Sequence, residues 1–226
     1  SNQSRTFCDA TVSQTKDGGY KVEFKATNSN CRHPTLFMRG HDLRSNLDNL
    51  LSRLDAFDKQ SPTLFVFECV QMYLLDGASR TLLKDLADAC PKSAVLIYDP
   101  ILGQDAFGRV MEQHLARAEV LIRPSSMTQV RTLEQHVDKV SSSGFNVGTV
   151  ATDMWSAYQS VVTAEQRSKA SKAEFLDEME EWLLIMKHYA LVIGVNHDEL
   201  SPLCSTGETS LLGFDDGKCI VKTSAS

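Results

Sequence analysis

The sequence lacks the patterns that mark several common classes of protein. Its six cysteines include no C-x-x-C pair and its six histidines show no H-x3-H spacing, so reduced thiols are expected and a zinc site is not. No apolar run approaches the roughly 18 residues of a membrane span. Basic residues are not in excess either, because 23 Lys and Arg stand against 29 Asp and Glu, a net charge of -6. We therefore expect a soluble cytoplasmic protein with no membrane partner and no nucleic-acid partner.

Motifs that bind phosphates or carry a catalytic serine are also missing. The sequence contains neither a G-x-G-x-x-G loop nor a Walker loop, which weighs against a complete nucleotide-binding domain. It contains no G-x-S-x-G elbow, so the hydroxyls of Ser125 and Ser126 are interpreted as caps and loop residues rather than nucleophiles.

Apolar strands alternate with amphipathic helices in the middle of the chain. Thr63–Phe67 is a continuous apolar strand, a helix follows that carries Leu82 and Leu86 on one face, and Ala94–Tyr98 is the next strand. An earlier strand, Thr35–Met38, is followed by a further helix behind Ser45 in the same way. Strands that are apolar on both faces predict an α/β fold, with a mostly parallel sheet covered by helices on both faces.

The remaining elements complete a single predicted domain over residues 1–226. Residues 1–33 form an irregular lead-in with one strand at Tyr20–Phe24, residues 34–195 form the core, and residues 196–226 form a carboxyl-terminal hairpin around Asp215-Asp216-Gly217. The other predicted elements are helices over Phe107–Ala118, Met127–Val140 and Ser171–Lys187, and strands over Phe145–Val150 and His188–Val195.

Three carboxylates follow predicted strands and are candidates for ligand contact. Asp42, Glu68 and Asp99 come after the first, second and third strands. Ligands of parallel α/β sheets bind outside the carboxyl ends of the strands, and a carboxylate there accepts hydrogen bonds from a ribose or an amino group. The alternative is that each acid caps a helix or lies solvated on the surface.

Five short motifs resemble the leucine carboxyl methyltransferase family in order and spacing, over about residues 34 to 195. The residues that carry the resemblance are Asp42-Leu43-Arg44, Glu68-Cys69-Val70 with Tyr73, Phe107-Gly108-x-x-Met111, the acidic block Glu174–Glu180, and His188-Tyr189.

The resemblance implies a Rossmann-like methyltransferase fold and S-adenosylmethionine-dependent esterification of a carboxylate. In the best-known members the acceptor is the carboxyl-terminal leucine of the protein phosphatase 2A catalytic subunit, whose tail is then the expected partner of a monomeric enzyme. The resemblance places Asp42 and Leu43 at the adenine of the cofactor, Glu68 in the same cofactor pocket and Tyr73 beside the methyl-transfer centre. Arg109 is a candidate for binding the substrate carboxylate, with a surface ion pair as the alternative.

The chain also departs from the family. The glycine-rich cofactor loop and the strands that precede it in family members have no counterpart here, so we expect a carboxyl-terminal part of such an enzyme that does not bind S-adenosylmethionine tightly by itself. Two alternatives stay open. One is a relative that methylates tRNA or a small-molecule carboxylate, and the other is a non-catalytic module that binds a phosphatase.

Overall fold

The structure, a computed structural model, describes residues 10–15, 18–24, 35–38, 40–45, 47–52, 57–103, 105–118, 125–173 and 176–224. Contacts divide the chain into two units, Ser1–Phe57 and Asp58–Ser226, whereas the sequence was interpreted as one domain. None of the helices in the described part of the chain has the length and apolarity needed to cross a membrane.

The first unit is built around a three-stranded antiparallel sheet. The predicted strand at Tyr20–Phe24 is confirmed, and it pairs with a strand on each side. Gly18, at φ 82°, lies in the predicted turn before it. The elements of this unit are β1 (Ala10–Gln14), β2 (Tyr20–Phe24), β3 (Thr35–Met38) and the short helix α1 (Leu47–Leu51).

The expectation that Thr35–Met38 belongs to the parallel sheet was wrong. This strand, β3, is paired antiparallel to β2, with Val22 opposite Leu36. Asp42 therefore does not follow a strand of a parallel sheet. The helix predicted behind Ser45 is present as α1, and Leu54 of its expected apolar stripe lies outside the described residues.

The second unit contains a five-stranded mixed sheet of order β4-β5-β7-β6-β8. Strands β4 and β5 are parallel, β7 is antiparallel to both β5 and β6, and β8 is antiparallel to β6. The strands are β4 (Thr63–Glu68), β5 (Ser93–Pro100), β6 (Gly148–Asp153), β7 (Tyr189–Val195) and β8 (Ile220–Thr223). The helices are α2 (Asp76–Ala89), α3 (Ala106–Arg117), α4 (Ser126–Gln129), α5 (Leu133–Ser142), α6 (Met154–Val161), α7 (Ala164–Ala173) and α8 (Met179–Lys187).

Helices pack on both faces of this sheet, as predicted, although Leu64 and Val66 of β4 are exposed on one of them. On one face Val140 of α5 lies against Gly194 of β7. A Cβ added to Gly194 would lie 2.4 Å from the Val140 Cγ1 atom. On the other face Ala157 of α6 is buried with Val150 and Ile193. The α/β fold class is therefore confirmed, and β4, β5 and β6 point the same way with β7 inserted in the opposite direction.

Two long predicted helices are each present as two shorter ones. The segment 127–140 breaks because Thr132 caps a new helix by accepting a hydrogen bond from the backbone N–H of Gln135. The segment 171–187 is divided between α7 and α8, and Glu174 and Phe175 of the acidic motif lie outside the described residues.

The predicted carboxyl-terminal hairpin is not formed. Asp215 accepts a hydrogen bond from the Gly217 N–H at the start of a 3-10 turn, Asp216–Lys218, and the following strand β8 pairs with β6. Phe214 is buried in the core instead of lying in a paired strand.

Candidate functional site

An acidic side chain and aromatic rings meet where β4 and β5 end. Glu68 is the last residue of β4, is exposed, and lies beside Tyr98 of β5 in the parallel register. Because β7 runs the opposite way, its first residue, Tyr189, lies opposite Pro100, and its ring stacks on Tyr98 at 4.9 Å and 12°. We call Glu68, Tyr73, Tyr98 and Tyr189 the strand-end site.

The backbone is strained directly after Glu68. Cys69 has φ 51° and is the only residue other than glycine with positive φ in the described part of the chain. The chain bends at Cys69, and the Cys69 N–H donates to the Tyr98 carbonyl at 2.8 Å, which holds this bend in place. Strained residues of this kind are concentrated at functional sites, so the bend at Cys69 independently marks the end of β4 as a candidate site.

The bend at Cys69 leads into a 3-10 turn, Gln71–Tyr73, that presents Tyr73 to solvent. Its side chain is 42% exposed. Burial raises the pKa of Tyr98 and of Tyr189, and Cys69 and Tyr73 raise the pKa of Tyr189 further. The two stacked phenols are therefore neutral hydrogen-bond donors at pH 7.

A small apolar cluster packs against the buried side of this turn. Met72, Leu102 and Met127 are buried together, and Met111 of α3 packs against them. Helix α3 approaches so closely that a Cβ on Gly108 would lie 1.4 Å from the Leu102 carbonyl oxygen. The Phe107-Gly108-x-x-Met111 motif thus sets the packing of α3 beneath the site.

The start of α3 is joined to the start of β7 through a carboxylate and a histidine. Asp105 accepts a hydrogen bond from the Gly108 N–H at 2.8 Å, and its oxygens lie 3.0 and 3.2 Å from His188 Nε2. His188 Nδ1 lies 2.7 Å from the Leu184 carbonyl, and Phe107 packs on the ring. The Gly108 N–H, and after it His188, hold the pKa of Asp105 below its usual range.

Beneath the strand-end site lies a buried polar cluster around Lys139 of α5. Its ammonium donates to Gln71 Oε1 and to Ser126 Oγ, both at 2.6 Å, and Ser79 Oγ donates to the same Gln71 oxygen at 2.7 Å. Burial lowers the pKa of Lys139, and the same burial, reinforced by Lys139, lowers the pKa of His136 to about 3.

Asp99 belongs to this buried cluster rather than to the exposed site. It is 3% exposed and lies on the opposite face of β5 from its neighbour Tyr98. Burial raises the pKa of Asp99 well above its usual range, while the Lys139 charge acts against that shift. Of the three carboxylates expected at strand ends, only Glu68 is therefore an exposed group at the end of a parallel strand.

The candidate cofactor residues Asp42 and Leu43 lie in the first unit, whereas Glu68 lies in the second. Asp42 is exposed, and its two oxygens accept hydrogen bonds from Arg44 Nε at 2.8 Å and Nη2 at 2.7 Å. These bonds hold the pKa of Asp42 far below its usual range. Leu43 is half-buried.

The candidate substrate residue Arg109 is exposed on α3. It lies one turn after Asp105 and, after the Gly108 N–H and His188, contributes to the lowered pKa of that carboxyl. The described contacts join Arg109 to the start of α3 and do not link it to Glu68 or Tyr73.

Sequence reasoning missed Tyr98 and Lys139. Tyr98 had a usable signal, since it is the aromatic residue at the polar end of an apolar strand. Lys139 also had one, because His136 and Lys139 fall among Val137 and Val140 on the apolar stripe of α5.

Comparison with known proteins gives a consistent set of relatives. The chain is 31% identical over 159 residues to a leucine carboxyl methyltransferase 1 of Yarrowia lipolytica, covering 70% of this chain and 48% of that protein. It is 31% identical over 168 residues to one of Emericella nidulans, covering 71% and 44%. It is 30% identical over 164 residues to a tRNA wybutosine-synthesizing protein 4 of Rattus norvegicus, covering 72% and 23%. No protein-family model matches the chain. The chain spans about half the length of the first two relatives.

Proposed function

The chain belongs to the leucine carboxyl methyltransferase family, and on this premise we propose that it takes part in S-adenosylmethionine-dependent methyl esterification of a protein carboxyl terminus. The acceptor we propose is the carboxyl-terminal leucine of a phosphatase 2A-type catalytic subunit. The observation that carries the proposal is the 31% identity over 159 residues to a relative named for leucine carboxyl methylation. The strand-end site supports it, since it lies where ligands of α/β sheets bind.

Glu68 suits a nucleoside-bearing cofactor. Its carboxylate is exposed at the end of β4, and two oxygens can accept hydrogen bonds from a ribose diol or an amino group. Asp42 is a weaker candidate for accepting hydrogen bonds from the cofactor, because both of its oxygens already accept hydrogen bonds from Arg44. When bound, S-adenosylmethionine supplies a methyl group activated by a sulfonium.

The residues of the strand-end site have little proton chemistry to perform. A peptide carboxyl terminus has a pKa of about 3.5 and is ionised at pH 7, so it is already a nucleophile and needs no general base. What remains is to orient the carboxylate and to exclude water from it. Tyr73, presented by the 3-10 turn, and the stacked rings of Tyr98 and Tyr189 can do both, because each phenol donates a hydrogen bond and each ring displaces water.

Arg109 remains our proposed contact for the substrate carboxylate or for the phosphatase surface. Its guanidinium is exposed on α3 and is suited to bidentate binding of a carboxylate.

The test is a methyl-transfer assay with labelled S-adenosylmethionine and the protein expressed with its natural ends. A peptide ending in a free leucine carboxylate should be labelled, and the same peptide with an amidated terminus should not. Tyr73→Phe should lower turnover more than cofactor affinity, whereas Glu165→Gln on the exposed surface of α7 should change neither. Equal labelling of the amidated peptide, or no labelling of either peptide, would contradict the proposal.

A second candidate function is methylation of a modified tRNA. It is favoured by the 30% identity to the tRNA wybutosine-synthesizing protein 4. The net charge of -6 argues against it, because tRNA binding usually depends on a basic surface. Total tRNA as acceptor in the same assay separates the two, since label in tRNA and none in the leucine peptide would favour the second function.

A further inference from the structure

Lys139 is the residue whose place in the fold the proposed chemistry leaves unexplained. It lies inside α5, is 1% exposed, and donates hydrogen bonds only to neutral groups among its described partners, Gln71 and Ser126. The charged groups that act on it are Asp99, Asp76 and Arg80, and His136 lies one turn away on its own helix. Burying an ammonium is costly even with Asp99 and Asp76 nearby, and an apolar side chain of similar length would avoid that cost.

The two partners of Lys139 hold the turn that follows Glu68. Gln71 begins the 3-10 turn that ends at Tyr73, and its carbonyl accepts a hydrogen bond from the Leu74 N–H at 3.0 Å. Ser126 begins α4, and its N–H donates to the Leu74 carbonyl at 2.8 Å. The Lys139 ammonium therefore joins the turn itself, through Gln71, to the start of α4, through Ser126.

The contacts restrict the turn from the side away from solvent. Tyr73 is 42% exposed, so its own packing restricts its position less than burial would. The inward-pointing Gln71, fully buried and bonded to Lys139 and Ser79, is the anchored residue of the turn. The position of Tyr73 relative to Glu68 depends on that anchor.

We propose that Lys139 is a positioning residue of the strand-end site, which through Gln71 and Ser126 fixes the turn that presents Tyr73. Its effect on catalysis rests on the proposed function, whereas its effect on the turn does not. Lys139 touches neither substrate nor cofactor in this proposal.

The first experiment measures the turn alone, by site-resolved amide exchange of the 226-residue chain. Lys139→Met should speed exchange of the Leu74 amide about tenfold, since a hydrogen bond from a charged donor is lost, and should leave the Val95 amide in β5 unchanged. Lys222→Met, at an exposed lysine paired with Asp138, is the matched control and should leave Leu74 unchanged. If Lys139→Met does not fold, Gln71→Met breaks the same bond from the turn side. Unchanged Leu74 exchange in the folded variant overturns the proposal.

The second experiment measures turnover in the protein with its natural ends. Lys139→Met should lower kcat for methyl transfer about tenfold with less than a twofold change in the Kd for S-adenosylmethionine, and Lys139→Arg should restore part of the loss. A fall in kcat and affinity by equal factors, or no fall in kcat, overturns the positioning role. Wild-type protein that transfers no methyl group while Leu74 exchange responds as expected would contradict the proposed function and leave the anchoring of the turn intact.

Discussion

Replacing Gly108 by alanine should destabilise the second unit by about 2–4 kcal/mol. The new Cβ would lie 1.4 Å from the Leu102 carbonyl oxygen and 2.5 Å from its carbon, less than the 3.4 Å at which ordinary contact begins. Both neighbours are backbone atoms, so no side chain can rotate away, and either α3 or the segment after β5 must move. Overpacking costs about 1–3 kcal/mol, and a displaced α3 also loses the Asp105 cap, worth about 1 kcal/mol.

The matched control is Gly77→Ala. Gly77 also lies in the first turn of a helix, α2, but nothing stands within 4 Å of a Cβ added there. Alanine at an unstrained helical position is neutral or stabilises by up to about 1 kcal/mol.

Urea unfolding followed by circular dichroism measures both variants. At an m value of about 2 kcal/mol/M, the Gly108→Ala midpoint should fall by about 1–2 M, and the Gly77→Ala midpoint should stay or rise. A Gly108→Ala protein within about 0.5 kcal/mol of the wild type would refute the close packing of α3 on Leu102.

Two further predictions concern backbone strain and pH. Cys69→Val should destabilise by about 1–2 kcal/mol, since a β-branched residue disfavours the φ of 51°, whereas Cys69→Gly should stay within about 1 kcal/mol of the wild type. Equal urea midpoints for the two variants would contradict backbone strain at Cys69. The second concerns His136, whose pKa in the fold is lowered to about 3 by burial. The unfolded chain takes up this proton near pH 6.5, so folding stability is complete above that pH and is lost as the pH falls towards 3, by about 2 kcal/mol between pH 6.5 and 4.5. His136→Leu should reduce the stability difference between pH 7 and pH 4.5 by that amount, and an unchanged difference in urea unfolding would count against a neutral buried imidazole.

The elements that local patterns determine were predictable from the sequence. The apolar run Thr63–Phe67, the helical spacing of Leu82 and Leu86, and the stop at Pro91 correspond to β4, α2 and the loop before β5. Helix α2 and strand β5 bury most of their apolar residues, and in β4 Phe67 is buried while Leu64 and Val66 stay exposed. The local pattern therefore predicts where these elements lie in the chain, although it does not predict the exposed face of β4.

The direction of β7 was not predictable in the same way. An apolar strand that is buried on both faces reads alike in either direction. Its antiparallel placement is visible only in the tertiary structure. The first residue of β7, Tyr189, lies opposite Pro100 at the end of β5, and the next residue, Ala190, lies opposite Asp153 at the end of β6. The break before Thr132 also depends on distant groups, since Arg131 bonds to the Gly103 carbonyl and to Glu112.

The candidate site was predictable only in part. Glu68 could be selected because a carboxylate that ends an apolar strand has no place inside the sheet. Asp99 satisfied the same rule and is nevertheless buried, since the side-chain alternation along β5 turns it to the face covered by α5. The link between Lys139 and Gln71, 68 positions apart in the chain, has no local signature at all.

The most direct test of the account is a calorimetric titration of S-adenosylmethionine into the protein expressed with its natural ends. The wild type and Glu165→Gln should bind with the same affinity. Glu68→Gln should bind at least about tenfold more weakly, because it loses the charged hydrogen-bond acceptor that we propose for the cofactor. No binding to the wild type, or equal affinity in Glu68→Gln, would contradict a cofactor site at the end of β4.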